Sequence, residues 1–292
     1  MAIMTQGRAG ASDGKADREY DFSDTDFRAL RDLVKAMTGI SLAETKRELV
    51  YGRVSRRLRA LGLKSFAEYR RLIEAPDAPE LVEFCNALTT NLTSFFRESH
   101  HFDYLRDDFL AARANSAQGT RRIRIWSSAC SSGEEPYSIA MTICEAIKDW
   151  QHWDIKILAT DLDTNILATA QLGVYKQERT KGLSPERLSR FFHKRSEDGG
   201  PCYEAKPELK GLITFRQINL MDDLPMSGPL DVIFCRNVVI YFDKDTQRGL
   251  FARMARLQRQ DDLLFLGHSE NLFNVSSDYA LIGKTIYRRN DT

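Results

Sequence analysis

The pattern of apolar positions changes character about a third of the way along the chain. Phe27, Leu30, Val34 and Met37 recur at helical spacing behind a start rich in Ser, Asp and Thr, and Gly39 sits where a left-handed cap ends a helix. A second helical pattern runs over 43–60. A third opens on Ser65 and Glu68 at capping-box spacing, and a fourth follows Asp77 as its cap with Pro79 in the first turn. This predicts a small helical domain ending near Ala87. From residue 123 onward, β-prone runs at 123–126, 155–159, 213–216, 232–235 and 263–266 alternate with helical stretches at 137–146, 164–170 and 244–257. Alternation of this kind predicts an α/β fold with a mostly parallel, doubly wound sheet. The gap between the second and third runs holds a helical pattern at 184–192, a Gly-Gly-Pro turn at 199–201 and a β-like piece near Tyr203. It reads as a small subdomain inserted at about 174–212.

Bulk properties narrow the class. The chain has 292 residues, enough for one large domain or two ordinary ones. A net charge of +1 gives no global field for nucleic acid. The five cysteines are scattered, with no CxxC or Cys/His spacing, so no disulfide frame and no metal site are expected, and a reducing cytoplasm is. No apolar run approaches the ~20 residues of a membrane span. Residues 1–19, small and charged, are expected to form a disordered arm.

The stretch WSSACSSGEEPY, from Trp126 to Tyr137, carries the most chemistry. A β-prone run enters a loop of small residues, and a helix opens with Pro136 behind two carboxylates, a cradle for a nucleotide-like ligand. Glu134 and Glu135 would repel a pyrophosphate, which favours a ligand with hydroxyls and a cationic centre; S-adenosylmethionine has both. Asp161 ends the second run, where an acid can accept ribose hydroxyls, and Asp163 stands where it can cap the next helix. After the third run, Asn219 can read an adenine edge while Leu220 packs on the ring. Arg236 and Asn237 lie at the carboxyl end of the fourth run, Tyr241 four positions further, and His268 just past the fifth. Asn91, Thr93 and Arg97 are polar residues set among Phe95, Phe96 and Phe102 in the linker between the two halves.

On the second helix, six basic residues stand against one acid between Lys46 and Arg59, and Lys46, Arg53, Arg56 and Arg57 fall within roughly a third of its circumference. Such a stripe is either a solvated face or a docking surface for an acidic partner. Val50, Val54, Leu58 and Leu61 occupy the neighbouring arc and should pack inward.

NLTSFFRE, WSSACSSGEEPYSIA, ATDLD, INL, FCRNVVIYF and LFLGHSEN follow one another in an order and spacing that resemble the bacterial chemotaxis receptor methyltransferases of the CheR type, over about 22–287. The resemblance implies a helical domain at 20–90, a linker with a first helix at 91–120, and a Rossmann-like S-adenosylmethionine domain at 121–292 carrying the inserted β-subdomain. It implies methyl transfer to glutamates of chemoreceptors in the cytoplasm, giving methyl esters and S-adenosylhomocysteine. It implies cofactor contacts at Asn91, Thr93, Arg97, Glu134 or more particularly Glu135, Asp161, Asn219, Leu220, Arg236 and Asn237. Arg97 and Tyr241 match residues acting near the transferring methyl. Lys46, Arg53, Arg56, Arg57 and Arg59 would meet the glutamate-rich receptor helices, and the subdomain could hold a receptor's C-terminal peptide by strand addition. No nucleic-acid partner and no membrane insertion are implied. The chain departs from the family pattern at Ser128-Ala129, where many relatives have Ala-Gly, and over 257–265, where a Pro-Gly turn is usual.

Overall fold

The computed structural model describes residues 18–116, 120–197 and 200–290, so the expected arm lies outside the described residues up to position 17, as does Gly199 of the expected turn. Helices α1 (Asp24–Thr38), α2 (Arg47–Leu61), α3 (Phe66–Ile73) and α4 (Glu80–Leu88) come first. Ser23 and Asp26 form a complete capping box on α1, and Gly39 ends it at φ 74°. Ser65 caps α3, but Glu68 accepts from Lys64 N–H at 2.9 Å rather than closing the box on Ser65. Asp77 does not cap α4: it turns the chain in the left-handed region at φ 53°, and Pro79 precedes the first helical residue. Phe27, Leu30, Val34, Val50, Val54, Leu58, Phe66, Tyr69 and Phe84 share one core. Leu61, expected inside, is exposed, as is Met37, because each stands in the last turn of its helix, where that stripe runs past the core.

A linker leads to α5 (His100–Tyr104), a π-helical stretch (Leu105–Leu110) and α6 (Ala111–Asn115). The second half is built on β1 (Arg122–Ser127), α7 (Glu134–Ala146), β2 (Asp154–Asp161) and α8 (Thr164–Leu172). The inserted subdomain follows: β3 (Val174–Lys176), α9 (Pro185–Phe191), β4 (Phe192–Glu197), β5 (Gly200–Ala205) and α10 (Pro207–Lys210). The chain then returns to the main sheet with β6 (Ile213–Gln217), β7 (Val232–Cys235), α11 (Lys244–Ala255), β8 (Leu263–Leu266), β9 (Tyr279–Gly283) and β10 (Ile286–Arg289).

The seven-stranded sheet runs β6-β2-β1-β7-β8-β10-β9, and the subdomain is a three-stranded antiparallel sheet, β3-β5-β4. All five expected runs are strands and pair in parallel; the antiparallel β9–β10 hairpin closes one edge. Central strands are buried on both faces, which is why they read as continuous apolar runs. Ile123, Ile125, Phe234 and Phe265 pack on one side, while Trp126, Ile233 and Leu264 pack on the other. The chain winds outward from β1 through β2 to β6 on one side and from β7 on the other. A crevice therefore opens at the carboxyl ends of β1 and β7, where such sheets bind ligands. In the 257–265 segment Asp261 takes the left-handed conformation at φ 68° that a turn glycine would supply.

Candidate functional site

β1 runs out at Ser127, and register fixes what lies beside it: Ser127 pairs with Ala159 of β2 and Phe234 of β7. The following loop is tied down on both sides. Ser128 N–H donates to the Phe234 carbonyl at 2.9 Å and Cys130 N–H to that of Thr160 at 2.8 Å. Ser131 (φ 49°) and Gly133 (φ 96°) turn the loop into α7. A Cβ at Gly133 would stand 2.8 Å from the Tyr175 hydroxyl and 3.0 Å from Ala170 Cβ, so both conformation and space demand glycine.

Asp161, at the end of β2, accepts Ser131 N–H at 2.8 Å and Asp163 N–H at 3.0 Å. Burial pushes its carboxyl up to about 6, against the pull of those two amides. Asp163 does cap α8, accepting the Asn165 and Ile166 amides at 3.0 and 3.1 Å. Its other oxygen takes the Asn91 amide at 2.7 Å and the Thr89 hydroxyl at 2.8 Å.

The two glutamates part company. Glu135 accepts from the Ser127 hydroxyl at 2.7 Å and from Arg236 Nη1 at 2.9 Å, and lines the crevice. Glu134 is fully buried and does not line it; its partners are Ser132 and Arg179 of the subdomain. Arg236 is itself buried, held by Glu135, by Glu98 Oε2 at 3.3 Å and by the Arg97 carbonyl.

Two acids absent from the sequence reading organise this end. Glu98 bridges Arg236, Asn237 and His268 Nδ1, the last at 3.0 Å. Burial opposes its charge, but the His268 hydrogen bond and the Arg236 guanidinium prevail and hold its carboxyl at about 2. Glu270 accepts the amides of Asn237 (2.8 Å), Gly267 (2.7 Å) and Ile240 (3.2 Å), fixing the loop after β7, where Asn237 sits at φ 56°. Gly267 is needed there, since a Cβ would fall 2.3 Å from Asn237 Nδ2. Glu98, His100 and His101 bring ligand-type atoms within 4.8 Å of one another, but the Arg236 guanidinium already faces Glu98 and opposes a cation.

These pieces enclose a cavity of about 420 Å³, within the size range of small-molecule sites. Asn91, Thr93, Arg97, Glu135, Asp161, Asn219, Leu220, Arg236, Asn237 and Tyr241 all line it. The helical half supplies the opposite wall, including Ile40, Leu42, Lys46 and Arg53, which sequence reasoning did not assign to it. That wall is docked by hydrogen bonds from Ser41 N–H to the Tyr241 carbonyl and from Asn219 Nδ2 to the Met37 carbonyl, both 2.8 Å, and by the Lys35–Asp243 pair at 2.9 Å. Asn219 therefore spends its amide on the domain contact, with Oδ1 accepting Met221 N–H. Arg97 donates to the Leu92 carbonyl at 2.7 Å.

The basic stripe divides. Arg57 forms a bidentate pair with buried Glu80 at 2.8 and 2.7 Å, and Arg53 donates to the carbonyls of Ala87 and Thr89 at the carboxyl end of α4. Arg59 lies 3.4 Å from Glu19, while Lys46 and Arg56 are exposed.

A doubly wound sheet with an acid at the carboxyl end of β2, a second acid in the first turn of the helix after β1 and a nucleoside-sized crevice at the switch point suits the class of S-adenosylmethionine-dependent methyltransferases. Residues 91–288 match the family model of the CheR methyltransferase SAM-binding domain, and residues 25–89 that of the CheR methyltransferase all-alpha domain. The chain belongs to the CheR methyltransferase family, and S-adenosylmethionine is its cofactor. It is 47% identical to chemotaxis protein methyltransferase 2 of Pseudomonas aeruginosa over 272 residues, covering 92% of this chain and 95% of that one. It is 43% identical to the chemotaxis protein methyltransferase of Salmonella typhimurium over 268 residues (91% and 90% covered) and 42% identical to that of Escherichia coli over 268 residues (91% of each). The chain is thus a methyltransferase of chemotaxis. Among the described residues no helix is long and apolar enough to cross a membrane.

Proposed function

We propose that the chain methylates glutamate side-chain carboxylates on the cytoplasmic helices of chemoreceptors, giving methyl esters and S-adenosylhomocysteine. What carries the reading is that Arg97 and Tyr241 line the same cavity as Asp161 and Glu135, opposite a wall bearing Lys46 and Arg53. The acids suit the hydroxyls and cationic centre of the cofactor, and the basic residues suit an anionic acceptor.

A glutamate carboxylate, with an ordinary pKa of about 4.3, is already ionised at neutral pH, so the reaction needs no general base. When bound, the cofactor supplies an activated methyl group on a sulfonium. The rest is alignment, which in favourable cases lowers a barrier by about 7–11 kcal/mol. In this reading Asp161 accepts the ribose hydroxyls, Glu135 faces the cationic end, and Asn219 and Leu220 border the adenine. Asn91, Thr93, Arg236 and Asn237 complete the cofactor wall. Arg97 steers the incoming carboxylate and Tyr241 orients it. Glu134, turned to Arg179, supports the wall from behind.

Exposed Arg56 and Lys46 would meet the acidic receptor helices. β4 lies at an edge of the small sheet, with residues 193–196 exposed, and can accept an added strand from a receptor tail. A cytoplasmic location follows from this substrate, and the working division is a helical domain at 20–90, a linker at 91–120 and a methyltransferase domain at 121–292. The test is incubation with tritiated S-adenosylmethionine and a purified chemoreceptor cytoplasmic fragment. The label should reside on glutamates and leave as methanol in base; base-stable label, or none, refutes the reading.

A further inference from the structure

We infer that the inserted subdomain sets the conformation of the cofactor loop through a clasp of Arg179, Ser132 and Glu134, which makes Arg179 a positioning residue for cofactor binding. The clasp is a closed ring. Arg179 Nε donates to Glu134 Oε1 at 2.7 Å, Arg179 Nη2 donates to Ser132 Oγ at 2.6 Å, and the Ser132 hydroxyl donates to Glu134 Oε2 at 2.7 Å. Glu134 has no exposed side-chain surface, while Arg179 is 43% exposed. A second hold stands beside it: the hydroxyl of fully buried Tyr175, on β3, donates to the Ser132 carbonyl at 2.9 Å.

Ser132 is the centre of these contacts, and it lies inside the loop whose next residue back, Ser131, orients Asp161 through its N–H. One residue beyond the clasp, Glu135 points the other way, into the cavity. The subdomain also braces the linker. Phe95 meets Tyr175 and Phe192 edge-on at 4.9 and 5.8 Å, and the Arg187 guanidinium lies 3.9 Å over the Phe96 ring. Arg97 follows directly. Both cavity-lining segments thus lean on an element that lies outside the main sheet and does not touch the cavity.

A buried carboxylate left without its cation is a strong perturbation, and Glu134, whose remaining side-chain partner is Ser132, relieves it by taking up a proton or by shifting, either of which alters its hold on the loop that carries Ser131 and Ser132. Calorimetric titration with S-adenosylhomocysteine tests this without any acceptor, so its outcome is separate from that of the glutamate reading. Arg179→Ala should bind about tenfold more weakly at unchanged stoichiometry, the order of a typical coupling between neighbouring sites. Arg179→Lys, which keeps a cation but not the fork, should recover only part. Turnover at saturating S-adenosylmethionine should stay within about twofold while KM for it rises, the mark of lost uniform binding. Should Arg179→Ala not fold, the double variant Glu134→Gln with Arg179→Met removes both charges and is expected to show the same weakening. Hydrogen exchange at 128–133 should quicken in each variant. Wild-type affinity with unchanged exchange in that loop, even at a lowered melting temperature, would make the clasp merely structural and overturn the proposal.

Discussion

Asp161→Asn tests the acid on which the proposed cofactor site turns. The wild-type carboxyl is buried and titrates near 6, raised from an ordinary 3.8 chiefly by desolvation. A charged acceptor binds hydroxyl donors with about 1.5–3 kcal/mol each against about 0.5–1.5 for a neutral one, so the ionised form is the one suited to a ribose. At pH 5, one unit below about 6, roughly a tenth of the carboxyls are ionised, which weakens S-adenosylhomocysteine about tenfold relative to pH 7.5. In Asp161→Asn the affinity should be weak at both pH values and the step should vanish.

Stability moves in the opposite sense. An acid whose folded pKa is raised destabilises the fold above about 6, by about 3 kcal/mol for a shift from 3.8, and this is relieved as pH falls from about 6 toward 3.8. Asp161→Asn removes that penalty but sets a donor amide against one of the two backbone N–H groups, so its gain at pH 8 should be smaller than the full figure. Calorimetric titration at pH 5 and 7.5, paired with urea unfolding at pH 5 and 8, measures both. Wild-type affinity in the variant, or a wild-type affinity that is flat between the two pH values, would refute the reasoning.

Other substitutions separate structure from chemistry. Arg236→Ala strands Glu135 and Glu98 and should cost about 3–5 kcal/mol by urea unfolding, a large part of an ordinary domain's stability. Glu98 is held at about 2 from an ordinary 4.5, so it stabilises the fold above about 4.5 and loses this as pH falls toward 2; Glu98→Gln should flatten acid unfolding in that window. Arg97→Ala should reduce turnover more than S-adenosylhomocysteine affinity, and wild-type rates would exclude its steering role. Arg56→Glu should raise KM for a receptor fragment at unchanged stability, whereas Arg57→Ala should lose about 2 kcal/mol by leaving buried Glu80 without its cation and held only by the Tyr69 hydroxyl; equal effects on KM and stability at both positions would refute the division of the stripe.

What could be read beforehand was what the chain repeats locally. The central parallel strands β1, β7 and β8 announce themselves because they are largely apolar on both faces, whereas β2 alternates over its first half and β6, at the edge, buries only Ile213 and reads as a strand by its β-prone residues alone. β4, His-Lys-Arg-Ser-Glu after Phe192, carries no alternation because it is an exposed edge, and most of β9 is exposed as well. The site residues that follow strands were legible by position. Their partners were not, since Glu98 meets His268 across 170 positions and Glu270 meets Asn237 across 33. Nor did spacing reveal that α1 and α2 close the cavity, or that Asn91 and Asn219 spend their amides on Asp163 and Met37. Such arrangements arise from packing between halves, and each needs the fold before it can be seen.

The most direct measurement is a crystal structure with S-adenosylhomocysteine bound. The ribose hydroxyls should lie on Asp161, the adenine beside Leu220, and the sulfur should face the space between Arg97 and Tyr241. An adenosyl group seated elsewhere, with the Asp161 carboxylate still engaged only by the Ser131 and Asp163 amides, would contradict the account.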